Sequence, residues 1–113
     1  MTADAGTSGA AVHVATLQVA PDHPAFAGHF PGQPLLPGAA LIAEVLEVVL
    51  ADPHLAACIG TTPRIGAAKF LAPVRPGARL TVRLIEAPRQ LRFEVLEGVR
   101  LAASGQFDLA GSA

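Results

Sequence analysis

A proline- and glycine-rich segment ahead of a helical stretch is the feature that most constrains the fold of this chain. Residues 28–38 read Gly-His-Phe-Pro-Gly-Gln-Pro-Leu-Leu-Pro-Gly, with three prolines and three glycines. Proline fixes φ and glycine allows values of φ closed to other residues, so we expect this segment to have a defined backbone conformation. The segment carries His29. Histidine titrates near neutral pH, and His29 is therefore a candidate acid or base.

The residues after this segment predict one long helix. Pro37 suits a first helical position, residues 38–51 are rich in Ala, Leu and Glu, and Asp52-Pro53 ends the run. Apolar side chains cover much of the helix circumference, which predicts burial on most sides. These residues are Leu41, Ile42, Val45, Val48 and Val49.

Alternating apolar and polar residues predict strands on either side of this helix. The predicted strands are residues 12–19, 64–71, 80–87, 91–97 and 99–109, with tight connections at 88–90 and 97–98. On the fourth strand, for example, Leu91, Phe93 and Val95 alternate with polar residues. This order predicts an α+β hotdog fold, in which a curled antiparallel sheet of about five strands wraps around one long central helix.

Composition limits the chain to one domain and excludes several kinds of partner. Half of the 113 residues are apolar, which predicts a single domain at residues 12–113 after a disordered tail at 1–11. A positive mean hydropathy at low charge predicts apolar surface buried against another subunit. The charged residues are scattered and sum to −1, so the sequence has no basic patch that would bind nucleic acid or a membrane surface.

The cysteine and histidine content predicts neither a metal ion nor a cofactor. Cys58 is the single cysteine, so an internal disulfide and a cysteine-based metal site are not expected, and a reducing cytoplasm suits the chain. His13, His23 and His54 are expected to be surface or hydrogen-bonding residues, because they show no metal-ligand spacing.

Two separated segments resemble the FabZ and FabA family of 3-hydroxyacyl-[acyl-carrier-protein] dehydratases of fatty-acid and polyketide synthesis. The first segment is His23-Pro-Ala-Phe-Ala-Gly-His-Phe-Pro-Gly32 followed by Leu36-Pro37-Gly38, and the second is Lys69-Phe-Leu-Ala-Pro-Val-Arg-Pro-Gly77. The resemblance implies elimination of water from a 3-hydroxyacyl thioester to give a trans-2-enoyl thioester. It also implies a partner, an acyl carrier protein with a phosphopantetheine-linked acyl chain.

The resemblance implies roles for residues of the first segment. His29 would remove the C2 proton, and the Gly38 N–H would polarise the thioester carbonyl. The residues beside them, Phe30, Pro31, Gly32 and Pro37, would contact the substrate. The sequence supports the role of Gly38 independently, because Pro37 has no N–H and the N–H of Gly38 is then the first free donor at the positive end of the helix.

One residue departs from the family pattern. The family places a helix carboxylate, supplied across a dimer, five residues after the helix glycine, and Ala43 stands there in this chain. Glu44 is rotated by about 100° from that position, whereas Glu47 lies on the same face about 6 Å further along. Both glutamates are candidates for the general acid, and an acidic helix face meeting solvent or an arginine explains them equally well.

These observations leave three functions open. The first is a dehydratase, as a homodimer or as one subunit of a heterodimer whose related partner supplies the acid. The second is a catalytically impaired subunit that binds acyl thioesters or partners an active dehydratase. The third is an acyl thioesterase, which needs a group to direct water and is weakened by Ala43. Lys69, Arg75 and Arg79 would attract an acidic carrier protein, although ordinary solvated strand ends explain these cations equally well.

Overall fold

A five-stranded antiparallel sheet and two helices make up the described part of the chain. The structure is a computed structural model and describes residues 11–26 and 35–110. The strands are β1 (Val12–Gln18), β2 (Ile65–Phe70), β3 (Arg79–Glu86), β4 (Gln90–Glu97) and β5 (Arg100–Asp108). The helices are α1 (Gly38–Leu50) and α2 (Pro53–Ile59), and Pro24–Phe26 forms one turn of 3₁₀ helix.

The strand order in the sheet is β1-β3-β4-β5-β2, so β1 and β2 form the two edges. All neighbouring strands are antiparallel. Each predicted strand is present with bounds within two residues of the prediction. The connection from β4 to β5 contains Gly98 at φ 62°, a left-handed conformation that glycine adopts without strain.

The inner face of the sheet is apolar because buried and exposed side chains alternate along β3 and β4. The residues predicted for this face are at most 1% exposed: Leu80, Val82, Leu84, Leu91, Phe93 and Val95. Helix α1 contributes Leu41, Val45 and Val49 to the same core, spaced four residues apart on one side of the helix. The predicted core pattern of the sheet is confirmed.

Helix α1 is less enclosed than its sequence suggests. Ile42 and Val48 are partly buried against the core, whereas Ala39, Ala43, Glu47 and Leu50 are exposed. These four residues form a stripe along the side of α1 away from its buried residues, and we call it the exposed stripe. A single sheet covers one side of the helix, so burial on most sides is not reached within one chain.

A second helix, α2, follows α1 almost at once and was not predicted. The Asp52 carboxylate caps it by accepting hydrogen bonds from the N–H groups of His54 (2.9 Å) and Leu55 (3.2 Å). Pro53 takes the first helical position, and Leu55 and Ile59 are buried. Asp52-Pro53 therefore ends α1 and begins α2, so the described part of the chain has two helices where the sequence predicts one.

Several sequence predictions fall outside the described residues. Of the predicted tail at residues 1–11, only Ala11 is described. The loop residues His29, Phe30, Pro31 and Gly32 lie in the segment 27–34, which is also outside the described ranges. Within those ranges, no helix has the length and apolar character needed to cross a membrane.

Candidate functional site

The N-terminus of α1 is the centre of the candidate site. Pro37 precedes the helix in an extended conformation (φ −60°, ψ 149°), and no side chain of the described residues caps the helix. The first intrahelical bond runs from the N–H of Leu41 to the carbonyl of Pro37 at 3.0 Å. The N–H groups of the first turn, beginning with Gly38, therefore have no acceptor within the helix and carry the positive end of its dipole.

Gly38 has a contact that sequence reasoning missed. A Cβ atom at this position would lie 2.7 Å from Cζ of Phe70, closer than real Cβ atoms come to their neighbours. From the sequence, the glycine is explained by close approach of a thioester, and the structure gives a second reason, the phenyl ring. Phe70 is 52% exposed, so its ring has room to move.

A cleft of about 300 Å³ opens beside this helix start. Its lining includes Leu36 and Gly38 from the first motif and Phe70, Leu71 and Val74 from the second. The N–H of Leu36 donates to the carbonyl of Val74 at 2.8 Å, which fastens the two motifs together. Motifs more than 30 residues apart in the sequence thus meet at one apolar cleft.

Glu44 is held in a pair with His23. Its Oε2 lies 2.8 Å from Nε2 of His23, and both side chains are partly buried, at 26% and 20% exposure. The N–H of Ala25 donates to Nδ1 of the same imidazole at 3.0 Å, so Nε2 carries the proton and donates to Glu44. This pair links the 3₁₀ turn before residues 27–34 to the middle of α1.

Ala43 and Glu47 both belong to the exposed stripe of α1. No hydrogen bond or ion pair joins the Glu47 carboxylate to another described residue. Of the two candidate acids, Glu44 therefore has a partner and Glu47 faces solvent. Neither can be related to His29, which lies outside the described residues.

A second group of polar side chains gathers where β1, β3 and α2 come together. Glu86 accepts hydrogen bonds from Nε2 of His13 at 2.7 Å and from Nε2 of His54 at 3.0 Å. These two bonds lower the pKa of the Glu86 carboxyl below its usual range. Both histidines hydrogen-bond, as expected from the sequence.

Cys58 lies beside this group. Its Sγ is 3.8 Å from Oε1 of Glu86 and 3.9 Å from Nε2 of His54. Burial and, next, the Glu86 carboxylate raise the pKa of the Cys58 thiol. Because the thiolate is the reactive form, this environment makes Cys58 a poor nucleophile near neutral pH.

The curled antiparallel sheet with its packed helices places the chain in the hotdog class, and comparison with known proteins gives the family. Residues 6–106 match the model of the family ApeI-like, described as ApeI dehydratase. The match covers most of the chain. The protein therefore belongs to the ApeI-like dehydratase family.

Individual relatives agree with this assignment. The chain is 39% identical over 83 residues to 3-hydroxyacyl-[acyl-carrier-protein] dehydratase FabZ of Campylobacter hominis, covering 67% of this chain and 57% of that protein. It is 34% identical over 108 residues to FabZ of Chlamydia trachomatis, covering 82% and 68%. The chain thus spans between half and about two thirds of the length of these curated relatives.

A solved structure gives a similar result. The dehydratase heterocomplex ApeI:P of Xenorhabdus doucetiae matches with a TM-score of 0.70 and 28% identity, covering 87% of this chain and 86% of that one. The likeness extends over nearly the whole of both chains. It confirms the hotdog prediction and the FabZ-like resemblance.

Proposed function

We propose that this protein is one subunit of a dehydratase that eliminates water from 3-hydroxyacyl groups carried on an acyl carrier protein. The observation that carries the proposal is the helix start at Gly38, which has free N–H donors and opens on an apolar cleft built by both motifs. A thioester carbonyl is polarised by such donors, and an acyl chain is accommodated by apolar walls. The family membership of the chain supports the same reaction.

In the proposed reaction, the bond changes fall on two carbons of the acyl chain. His29 takes the proton from C2 while the Gly38 N–H stabilises negative charge on the thioester oxygen. The electrons of the C2–H bond form the C2–C3 double bond, and the C3–O bond breaks. The leaving hydroxyl takes up a proton and departs as water, which leaves a trans-2-enoyl thioester.

Among the described residues, no carboxylate stands at the position from which the family's general acid gives this hydroxyl its proton. Ala43 replaces the family's carboxylate, and Glu44 is engaged by His23 at 2.8 Å. Glu47 lies one turn beyond Ala43 on the exposed stripe, where it faces outward from its own core. These observations favour an acid supplied by another subunit that packs on this stripe, with Glu47 as the candidate within this chain.

A heterodimer with a related dehydratase satisfies this requirement, because His29 of one chain would meet an intact acid of the other. The ApeI:P protein of Xenorhabdus doucetiae is a dehydratase heterocomplex, which supports such an arrangement for this chain. The edge strand β2, whose residues are all exposed, gives a second reason to expect a partner chain. A homodimer is the alternative assembly.

The proposed substrate carrier fits the charges around the cleft. Lys69 precedes the cleft residue Phe70 in the chain, and Arg75 follows the cleft residue Val74. Both cations are exposed, as is Arg79. We infer that they attract an acidic carrier protein and bring the phosphopantetheine arm to the cleft.

Complementation of two half-sites tests the proposal. This chain is mixed with a related dehydratase that keeps its helix acid but has lost its loop histidine, and a 3-hydroxyacyl carrier protein is the substrate. Neither protein alone is expected to turn over well, and the mixture is expected to form the enoyl thioester. His29→Ala in this chain abolishes that gain, whereas Arg89→Ala in the β3–β4 turn leaves it intact.

The same assay distinguishes the other two functions. If no combination forms enoyl product but the acyl carrier still binds, the chain is a subunit that binds acyl thioesters without turnover. Ala43 and the Glu44–His23 pair favour this function. Release of free carrier thiol identifies a thioesterase. Enoyl formation that His29→Ala leaves unchanged overturns the proposed role of the histidine.

A further inference from the structure

The group formed by His13, His54, Cys58 and Glu86 gathers four metal-ligating side chains from three elements. We call it the His-Cys-Glu cluster. His13 lies on β1, Glu86 ends β3, and His54 and Cys58 lie on α2. The nitrogen and oxygen ligand atoms of His13, His54 and Glu86 all lie within 4.8 Å of one another. The proposed dehydratase reaction uses none of these residues.

The fold positions each member of the cluster by an independent contact. On the sheet, the N–H of Glu86 donates to the carbonyl of Ala11 at 2.9 Å, which places His13 beside the end of β3. On α2, the cap by Asp52 fixes the first turn and hence His54. Cys58 follows four residues later, on the same side of the helix. The cluster is therefore set by backbone pairing and a helix cap.

The distances suit a tetrahedral ion. Ligands about 2.0–2.3 Å from a zinc ion stand roughly 3.3–3.7 Å apart in a tetrahedron. Oε2 of Glu86 lies 2.7 Å from Nε2 of His13 and 3.0 Å from Nε2 of His54, which is somewhat shorter than these spacings. The Sγ of Cys58 lies 3.8 Å from the other Glu86 oxygen, Oε1, and 3.9 Å from Nε2 of His54, which is slightly longer. Small side-chain rotations bring the ligand atoms of His13, His54 and Glu86 to these spacings. Cys58 is placed as the fourth ligand because its Sγ lies beside both His54 and Glu86.

We propose that the His-Cys-Glu cluster binds a divalent transition-metal ion, with Zn²⁺ as the preferred ion. Two imidazoles, a thiolate and a carboxylate are ligands that zinc accepts and that magnesium and calcium do not prefer. Four protein ligands leave no open position, so the ion has a structural role, joining α2 to β1 and β3. The His54 side chain is 62% exposed, which gives the ion a path from solvent.

Binding changes the protonation of the ligands. The Nε2 protons of His13 and His54, which now bond Glu86, must leave those atoms, and the Cys58 thiol loses its proton. Each imidazole then carries its proton on Nδ1 and coordinates through Nε2. The hydrogen bonds to Glu86 are replaced by bonds to the ion.

Titration with Co²⁺ tests the site directly, because tetrahedral Co²⁺ absorbs visible light and its bond to a thiolate adds a near-ultraviolet band. The full chain, free of any affinity tag and stripped with a chelator, is expected to bind one ion with both spectral features. Zn²⁺ should displace the Co²⁺ and bleach the spectrum. Cys58→Ser should remove the near-ultraviolet band while weaker binding persists.

Variants locate the ion on the chain. His13→Ala and Glu86→Gln should each weaken binding by about tenfold or more, since even outer-shell changes cost about that much. His23→Ala and His29→Ala are the matched controls, and both should leave the titration unchanged. Far-ultraviolet circular dichroism of each metal-free variant separates loss of ligand from loss of fold.

Two results would overturn the proposal. Absence of tetrahedral Co²⁺ absorption in the unmodified chain would mean that the cluster serves as a hydrogen-bonded group without an ion. Absorption that survives in His13→Ala and Glu86→Gln would place the ion elsewhere. Because neither readout involves dehydration, the metal proposal and the dehydratase proposal fail independently.

Discussion

Gly38 shows at the scale of a residue how the cleft and the proposed oxyanion donor are coupled. Its missing side chain makes room for the ring of Phe70, which lines the cleft from β2. A methyl group there would push on the far end of a half-exposed side chain, and not on the backbone. The fold is therefore expected to tolerate a larger residue better than the site does.

Gly38→Ala is predicted to leave stability within about 1 kcal/mol of the unmodified chain, because alanine favours the helix and Phe70 can move. Activity of the complemented enzyme should fall by about 10²-fold, the loss typical of a damaged oxyanion site. Thermal unfolding measures the change in stability, and single-turnover kinetics measure the change in dehydration rate. In Gly38→Ala/Phe70→Ala the crowding is relieved, so part of the rate should return. Full activity in Gly38→Ala would show that no carbonyl approaches this position closely.

Residue-scale predictions from the sequence succeed where a signal is local. Pro37-Gly38 is readable as a helix start because proline and glycine restrict the backbone directly. The pairing of His23 with Glu44 across 21 residues has no such signal, since it depends on how the chain before residues 27–34 meets α1. The contact of Phe70 with Gly38 has no local signal either, since it depends on how β2 meets the start of α1.

At the scale of elements, β5 lies between β4 and β2 and carries a glycine at its tightest point. Gly105 pairs with Phe93 on one side and with Ala68 on the other. A Cβ there would collide with the carbonyl oxygen of Ala67 and lie 2.6 Å from Cζ of Phe93. The backbone oxygen cannot move without shifting the edge strand β2.

Gly105→Ala is therefore predicted to destabilise the chain by about 1–3 kcal/mol, the usual cost of overpacking. Gly66→Ala on β2 is the matched control, because its nearest atoms are the side-chain ends of Asp108 and Gln106, which can rotate away. Urea unfolding of both variants measures the difference. Equal stability of the two would contradict the close packing inferred for β5.

Strands were predictable because each carries its alternation within a few residues, and the Leu91, Phe93 and Val95 set is buried as expected. Helix α2 is hard to predict because Asp52-Pro53 has two roles: it ends α1, and the same two residues are the cap and the first helical position of α2. The strand order β1-β3-β4-β5-β2 has no local signal either, since β2 crosses to the far edge.

At the scale of the whole molecule, the exposed stripe of α1 and the exposed edge strand β2 are surfaces that one chain leaves uncovered. Ala43 lies in the middle of that stripe. An acid at this position would face outward, toward a subunit packed on α1. In a related partner packed in the same way, the corresponding acid would face this chain and reach its site. The strongest reason to propose a site shared between two chains is therefore the missing carboxylate at position 43.

Restoring that carboxylate is the most direct measurement. Ala43→Asp adds an exposed charge, so the fold should persist, and Ala57→Asp on α2 is the matched control at another exposed position. The single-turnover rate of dehydration is measured with this chain as the sole protein. Because a general acid contributes about 10²–10⁴-fold, Ala43→Asp should raise the rate by at least about 10²-fold and Ala57→Asp should not. An unmodified chain that already dehydrates as fast as Ala43→Asp would contradict the shared site, since its acid would then be complete without a partner.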